Sequence, residues 1–82
     1  MSIKTNDLRK GDNVMLRNGW RADIMDNMKG NTRLAKVYGF ETEVGSVYSH
    51  DIMRVLRNDV MTPIEHTPAQ LKLYERVRRL GM

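Results

Sequence analysis

The chain has no cysteine, which excludes disulfide staples and thiolate-ligated metal centres and is compatible with a reducing compartment. Proline is scarce, with two residues, and so are aromatics: one Trp, one Phe and three Tyr. No apolar stretch approaches the roughly 18 residues that a membrane span needs, and residues 1–9 lack the apolar run of a signal peptide. The expected location is cytoplasmic, with no membrane partner. Eighty-two residues make one domain with a thin core, since chains this short bury only about 60 to 65% of their unfolded surface. A catalytic cleft needs a rigid, water-excluding pocket and a supporting shell, which so small a core rarely provides. Size alone favours binding over catalysis.

Fourteen Lys and Arg against ten Asp and Glu give a formal charge of +4 and a pI near 9.8, a balance suited to polyanions or acidic protein surfaces. Its distribution is uneven. Cations crowd residues 1–36, are absent from residues 37–53, and return in the C-terminal segment as Lys72, Arg76, Arg78 and Arg79.

Asn18-Gly19, lying between the alternating runs Val14-Met15-Leu16 and Ala22-Asp23-Ile24, is the strongest hairpin signal in the chain. A two-residue loop would set Val14 and Leu16 opposite Asp23 and Arg21. A three-residue loop of Arg17, Asn18 and Gly19, with the glycine left-handed, instead pairs Leu16 with Trp20 and Val14 with Ala22, and is the predicted register. Trp20 is then a core residue. A second turn at Gly30-Asn31 pairs Ile24 with Val37, Ala22 with Gly39 and Asp26 with Ala35, leaving Met25, Leu34 and Tyr38 on the outer face. That set is too apolar to lie bare in water.

Before the first strand, Thr5 to Gly11 reads as one helical turn whose Leu8 plugs the end of the core. Glu41 to Gly45 reads as a loop, Ser46 to Ser49 as a fourth strand, His50-Asp51-Ile52 as a tight turn and Met53 to Arg57 as a fifth. Residues 58–66 read as a connector, because Pro63 cannot donate to a ladder. Thr67-Pro68-Ala69-Gln70 is a capping box with proline at the first helical position, and Gly81 is a stop, so Pro68 to Leu80 is a helix within the segment 67–82. Its stripe of Leu73, Tyr74, Val77 and Leu80 is expected to cover Met25, Leu34 and Tyr38, while Lys72, Arg76 and Arg79 lie on another side. The expected architecture is mainly β: a five-stranded antiparallel barrel over residues 1–57 with a C-terminal α-helix packed on it.

Lys10-Gly11-Asp12-Asn13-Val14-Met15-Leu16, a glycine hairpin, and the closing Val47-Tyr48-Ser49-His50-Asp51-Ile52 resemble the start and end of SH3-like small barrels of the KOW and Tudor type. The likeness covers about residues 7–57 and rests on placement of these turns. It makes Gly19 the counterpart of the KOW glycine between the first two strands, and implies RNA, ribosomes or transcription machinery as partners. The chain lacks the fuller KOW glycine pattern. It also resembles the short accessory proteins of tailed bacteriophages.

Few residues suggest chemistry. His50-Asp51 has the composition of a base and its orienting carboxylate, but neighbours on a strand face opposite ways and no nucleophile motif accompanies them. His50, Glu65 and His66 match no zinc-ligand spacing. The glycines are too scattered for a phosphate cradle. No metal, cofactor or catalytic residue is expected. What remains is binding. Arg17, Arg21, Lys29 and Arg33 crowd the hairpins and, with Lys72, Arg76 and Arg79, form the candidate nucleic-acid contacts. The alternative is a protein-binding accessory factor, in which Met25, Leu34 and Tyr38 make a basic-rimmed apolar patch for a host or viral protein or for a second copy of the chain.

Overall fold

A computed structural model describes residues 3–26 and 31–80. Within them lie strands β1 (Ile3–Lys4), β2 (Asn13–Leu16), β3 (Arg21–Asp26), β4 (Thr32–Tyr38), β5 (Thr42–Tyr48), β6 (Ile52–Arg57) and β7 (Val60–Glu65). Helix α1 (Pro68–Leu80) follows, and 3-10 turns occupy Thr5–Asp7 and Ser49–Asp51. One sheet holds all seven strands in the order β1-β7-β6-β2-β3-β4-β5. The mainly β class with a C-terminal helix is as the sequence implies. The strand count and closure are not: the sheet has seven strands rather than five and does not close into a barrel.

The extra strands come from the two ends of the chain. Residues 58–66, expected to be a connector, mostly form β7, antiparallel to β6 from Arg57↔Val60 to Arg54↔Pro63. Asn58 and Asp59 make the turn with φ of 50° and 64°, left-handed values that Asn and Asp tolerate better than other non-glycine residues and that a tight hairpin turn requires. A pair flanking a two-residue turn exchanges hydrogen bonds, and the pairing alternates from there. Pro63 therefore falls at a non-hydrogen-bonded position, where its missing N–H leaves β6 no unmet acceptor. β1 then adds parallel to the end of β7, Ile3 opposite Ile64.

The first hairpin has the expected register: Val14 pairs with Ala22, the Leu16 amide donates to the Trp20 carbonyl at 2.8 Å, and Gly19 is left-handed at φ 91°. In the second, Ala22 pairs with Val37 and Ile24 with Ala35, two residues away from the expected alignment. A slip of two preserves which side chains face inward, so the apolar pattern cannot distinguish the two registers. Part of the connecting turn, including Gly30, lies outside the described residues. β5 begins at Thr42, not Ser46, and runs in unbroken register with β4 from Tyr38↔Thr42 to Thr32↔Tyr48.

Val14 and Leu16 of β2, Ala22 and Ile24 of β3, Ala35 of β4, Ile52 and Val55 of β6 and Ile64 of β7 make the core together with Leu8; Leu8 is buried, but there is no barrel end for it to plug. Trp20 does not join them and is 39% exposed. The capping box of α1 forms on both arms: Gln70 N donates to Thr67 Oγ1 at 3.2 Å, and Thr67 N to Gln70 Oε1 at 2.9 Å. The helix meets the rest of the molecule at the Ser49–Asp51 turn, where Tyr74 lies 5.3 Å from the His50 ring. Met25, Leu34 and Tyr38, expected beneath it, are exposed.

Candidate functional site

Because the sheet curls without closing, part of its inner face is left open between the first hairpin and β5. A groove of about 470 Å³ results, within the size range of ligand-binding clefts. Leu16, Val37 and Val47 are its apolar floor, Trp20 and Tyr48 stand at its sides, and Arg17 and Asp51 close one end. A smaller cleft that shares Trp20 and Val37 with the groove is lined also by Phe40, Glu41 and Glu43.

Each aromatic side chain is placed by a local feature. The hairpin turn delivers Trp20 beyond the end of the core, where its ring lies over Gly39; a Cβ added to Gly39 would overlap that ring. Phe40 stands in the short connection from β4 to β5, 97% exposed, its ring 5.6 Å from Trp20 and nearly perpendicular at 83°, a favoured edge-to-face geometry. Tyr48 ends β5 and stacks on His50 at 4.8 Å and 12°. The sequence places Trp20 in the core instead. The signal available was an aromatic residue inside a Gly39-Phe40-Glu41 turn, where no core is within reach.

Arg17 anchors the groove's polar end. Its Nη2 donates to the His50 carbonyl at 2.7 Å, its Nε to Asp51 Oδ1 at 3.2 Å, and its guanidinium lies 3.9 Å over the Tyr74 ring. Asp51 also accepts from His50 Nδ1 at 3.1 Å. Adjacent residues face each other here because they occupy a 3-10 turn and not a strand, so the sequence-level objection to this pair does not apply. The pair has the geometry of a base with its orienting carboxylate. However, His50 is buried and its Nε2 has no hydrogen-bond partner among the described residues, so no exposed nitrogen faces a substrate.

The sequence-predicted cations do not converge. Arg21 is held on the outer face, its Nε donating to Asn13 Oδ1 at 2.8 Å. Arg33 is 1% exposed; its guanidinium donates to the Thr32 carbonyl at 2.8 Å and to Asn6 Oδ1 at 2.7 Å, and burial pushes its pKa below the ordinary arginine value. It offers no surface to a phosphate. Lys29 lies outside the described residues. Lys72, Arg76 and Arg79 are exposed along α1.

On the outer face of β3 and β4, Tyr38 donates its hydroxyl to Asp23 Oδ2 at 2.5 Å, and Asn13 Nδ2 donates to Asp23 Oδ1 at 2.9 Å. The Tyr38 bond, then the Asn13 bond, hold the Asp23 carboxyl below its ordinary value. The bond to Asp23 raises the Tyr38 phenol in turn. Met25 and Leu34 share this face. Among the described residues no group of three His, Cys, Asp or Glu is arranged to hold a metal ion, and no helix is long and apolar enough to cross a membrane. Comparison with protein-family models, with curated proteins and with solved structures yields no match for the chain.

Proposed function

We propose that the protein is a non-catalytic binding module that holds a segment of a partner protein in the groove between its first hairpin and β5. The observation that carries this reading is the placing of Trp20 and Tyr48 on one apolar-floored groove, with Phe40 edge-on to Trp20 in the adjoining cleft, in a chain whose only other aromatics are Tyr38 and Tyr74. Large rigid rings at the rim of a desolvated floor are the usual source of binding energy at protein interfaces. The run of neighbours β6-β2-β3-β4-β5, with a 3-10 turn joining β5 to β6, favours an SH3-like strand order for the middle of this open sheet. An accessory factor that modulates a host or viral protein fits this scaffold.

The test is affinity capture with the wild type and with a Phe40→Ser/Tyr48→Ser double variant, each with and without nuclease. A protein retained by the wild type, insensitive to nuclease and lost with the double variant supports the reading. Equal retention by the variant whose fold is intact sinks it.

Nucleic-acid contact is the second reading. One observation favours it: Lys72, Arg76 and Arg79, together with Arg78, are all exposed on a single helix.

A further inference from the structure

The two edges of the sheet differ. At one end β1 has two residues, one of them Lys4, which is how soluble proteins blunt an edge. At the other end β5 is seven residues long, Thr42–Tyr48. It pairs with β4 without a register shift, and it contains no proline and no lysine. Val44, in its middle, is 57% exposed. An edge of this length, unbroken in register and with Glu43 as its one charged residue, is a template for another strand.

That edge borders the groove, since Val47 and Tyr48 line its main part and Glu43 its smaller cleft. The local charge has one sign. Asp51 is offset by Arg17, whereas neither Glu41 nor Glu43 forms an ion pair with a described Lys or Arg, and residues 37–53 contain no cation at all. Exposed aromatic rings beside the two carboxylates also attract cationic side chains.

We propose that β5 captures an extended segment of a partner protein as an eighth strand, with alternating apolar and basic side chains. Its apolar side chains pack over Val44 on the outer face of β5, and the basic ones, on the opposite face, reach Glu43 and the neighbouring Glu41. This rests on the groove reading and deepens it: main-chain hydrogen bonds to the edge supply affinity, while the groove and the glutamates select the sequence.

The probe is an acetylated, amidated heptapeptide alternating valine and arginine, followed by Trp20 fluorescence and by amide hydrogen exchange of the full chain. Binding at or below about 1 mM is expected, with a Trp20 response and slowed exchange at those β5 amides that do not bond to β4. N-methylating alternate peptide amides along the pairing edge is expected to weaken binding by about tenfold or more, because each removes a main-chain hydrogen bond. Replacing arginine by glutamate in the peptide, or Glu41 and Glu43 by Gln in the protein, is expected to weaken it similarly. If the N-methylated peptide binds equally well and still perturbs Trp20, the groove reading stands and strand addition is overturned. If the glutamate peptide binds as well as the arginine one, the basic partner is wrong. No response of Trp20 or β5 to any peptide overturns the proposal, as does protection of β5 by protein concentration alone, which assigns the edge to a second copy of the chain.

Discussion

Trp20 is exposed beside the groove and is held there by a neighbour that has no side chain. Opposite Leu16 in a hairpin, a tryptophan belongs in the core by pairing alone, and the pairing is as expected. The ring nevertheless lies over Gly39, in space that only the absence of a side chain there provides. Gly39→Ala should therefore move the ring at a stability cost of about 1 kcal/mol, typical of mild overpacking, and shift the Trp20 emission maximum; an unchanged spectrum would contradict the packing. Gly19→Val tests the turn itself: a β-branched residue at φ 91° is strained, and denaturant unfolding should report a loss of about 1 to 2 kcal/mol. Arg33 was legible as a cation but not as a buried one, because Asn6, which receives it, is distant in sequence and the accepting carbonyl is the backbone of Thr32. The Tyr38–Asp23 bond, equally invisible in the sequence, has a definite pH signature. Asp23, with its folded pKa depressed, adds stability above its unfolded value of about 3.9, and that contribution is lost as pH falls through the lower folded value. Tyr38, with its pKa raised, adds stability below about 10, lost as pH rises through the higher folded value. Tyr38→Phe should move the Asp23 carboxyl titration, followed by its carbon chemical shift, back toward the ordinary range.

At the scale of elements, legibility depended on whether the deciding interaction was local. The helix Pro68–Leu80 was read to the residue because its start is written in four consecutive residues, and Thr67→Ala should cost about 1 kcal/mol, as caps of this kind do. The β6–β7 hairpin was missed although its turn residues stand in plain view. Asn58-Asp59 lies between Val55-Leu56 and Val60-Met61, but Pro63 argues from sequence against a strand, whereas the alternation of hydrogen-bonded pairs leaves it a place that needs no N–H. The turn is not optimal: at φ 64° Asp59 occupies a position glycine fills without steric cost. Asp59→Gly should stabilise the hairpin by about 0.5 to 1 kcal/mol, the relief expected when a left-handed non-glycine residue is replaced, while Asp59→Val should destabilise it; thermal unfolding of both variants checks the turn conformation. β1 had no comparable signal, since two residues pairing with a strand some sixty positions away carry no local pattern.

Across the whole molecule, the charge asymmetry seen in the sequence becomes spatial in an informative way. The cation-free stretch 37–53 supplies β5, the Glu41 and Glu43 cleft and most of the groove, whereas the helix carries exposed Lys72, Arg76, Arg78 and Arg79. The hairpin cluster on which a phosphate-binding surface was expected is divided instead: Arg17 is committed to Asp51 and Tyr74, Arg21 to Asn13, and Arg33 to the interior. A polyanion would thus meet the helix, and a basic protein segment the groove. The two occupants respond differently to salt, because phosphate contacts release counterions and lose affinity steeply and linearly on logarithmic axes, with a slope near 0.7 to 0.9 per phosphate. If the helix holds nucleic acid, changing Lys72, Arg76 and Arg79 to Gln should flatten the salt dependence of binding to a mixed-sequence oligonucleotide by about two to three units, leaving peptide binding in the groove untouched. If the groove is the functional surface, the wild type should show no oligonucleotide affinity beyond that of a generic basic helix, and the same triple substitution should leave capture of the protein partner unchanged. Filter binding across a salt series, run beside peptide titration on the same two proteins, separates the surfaces: a partner lost with the helix substitutions but retained by the Phe40→Ser/Tyr48→Ser variant would move the functional site from the groove to the helix.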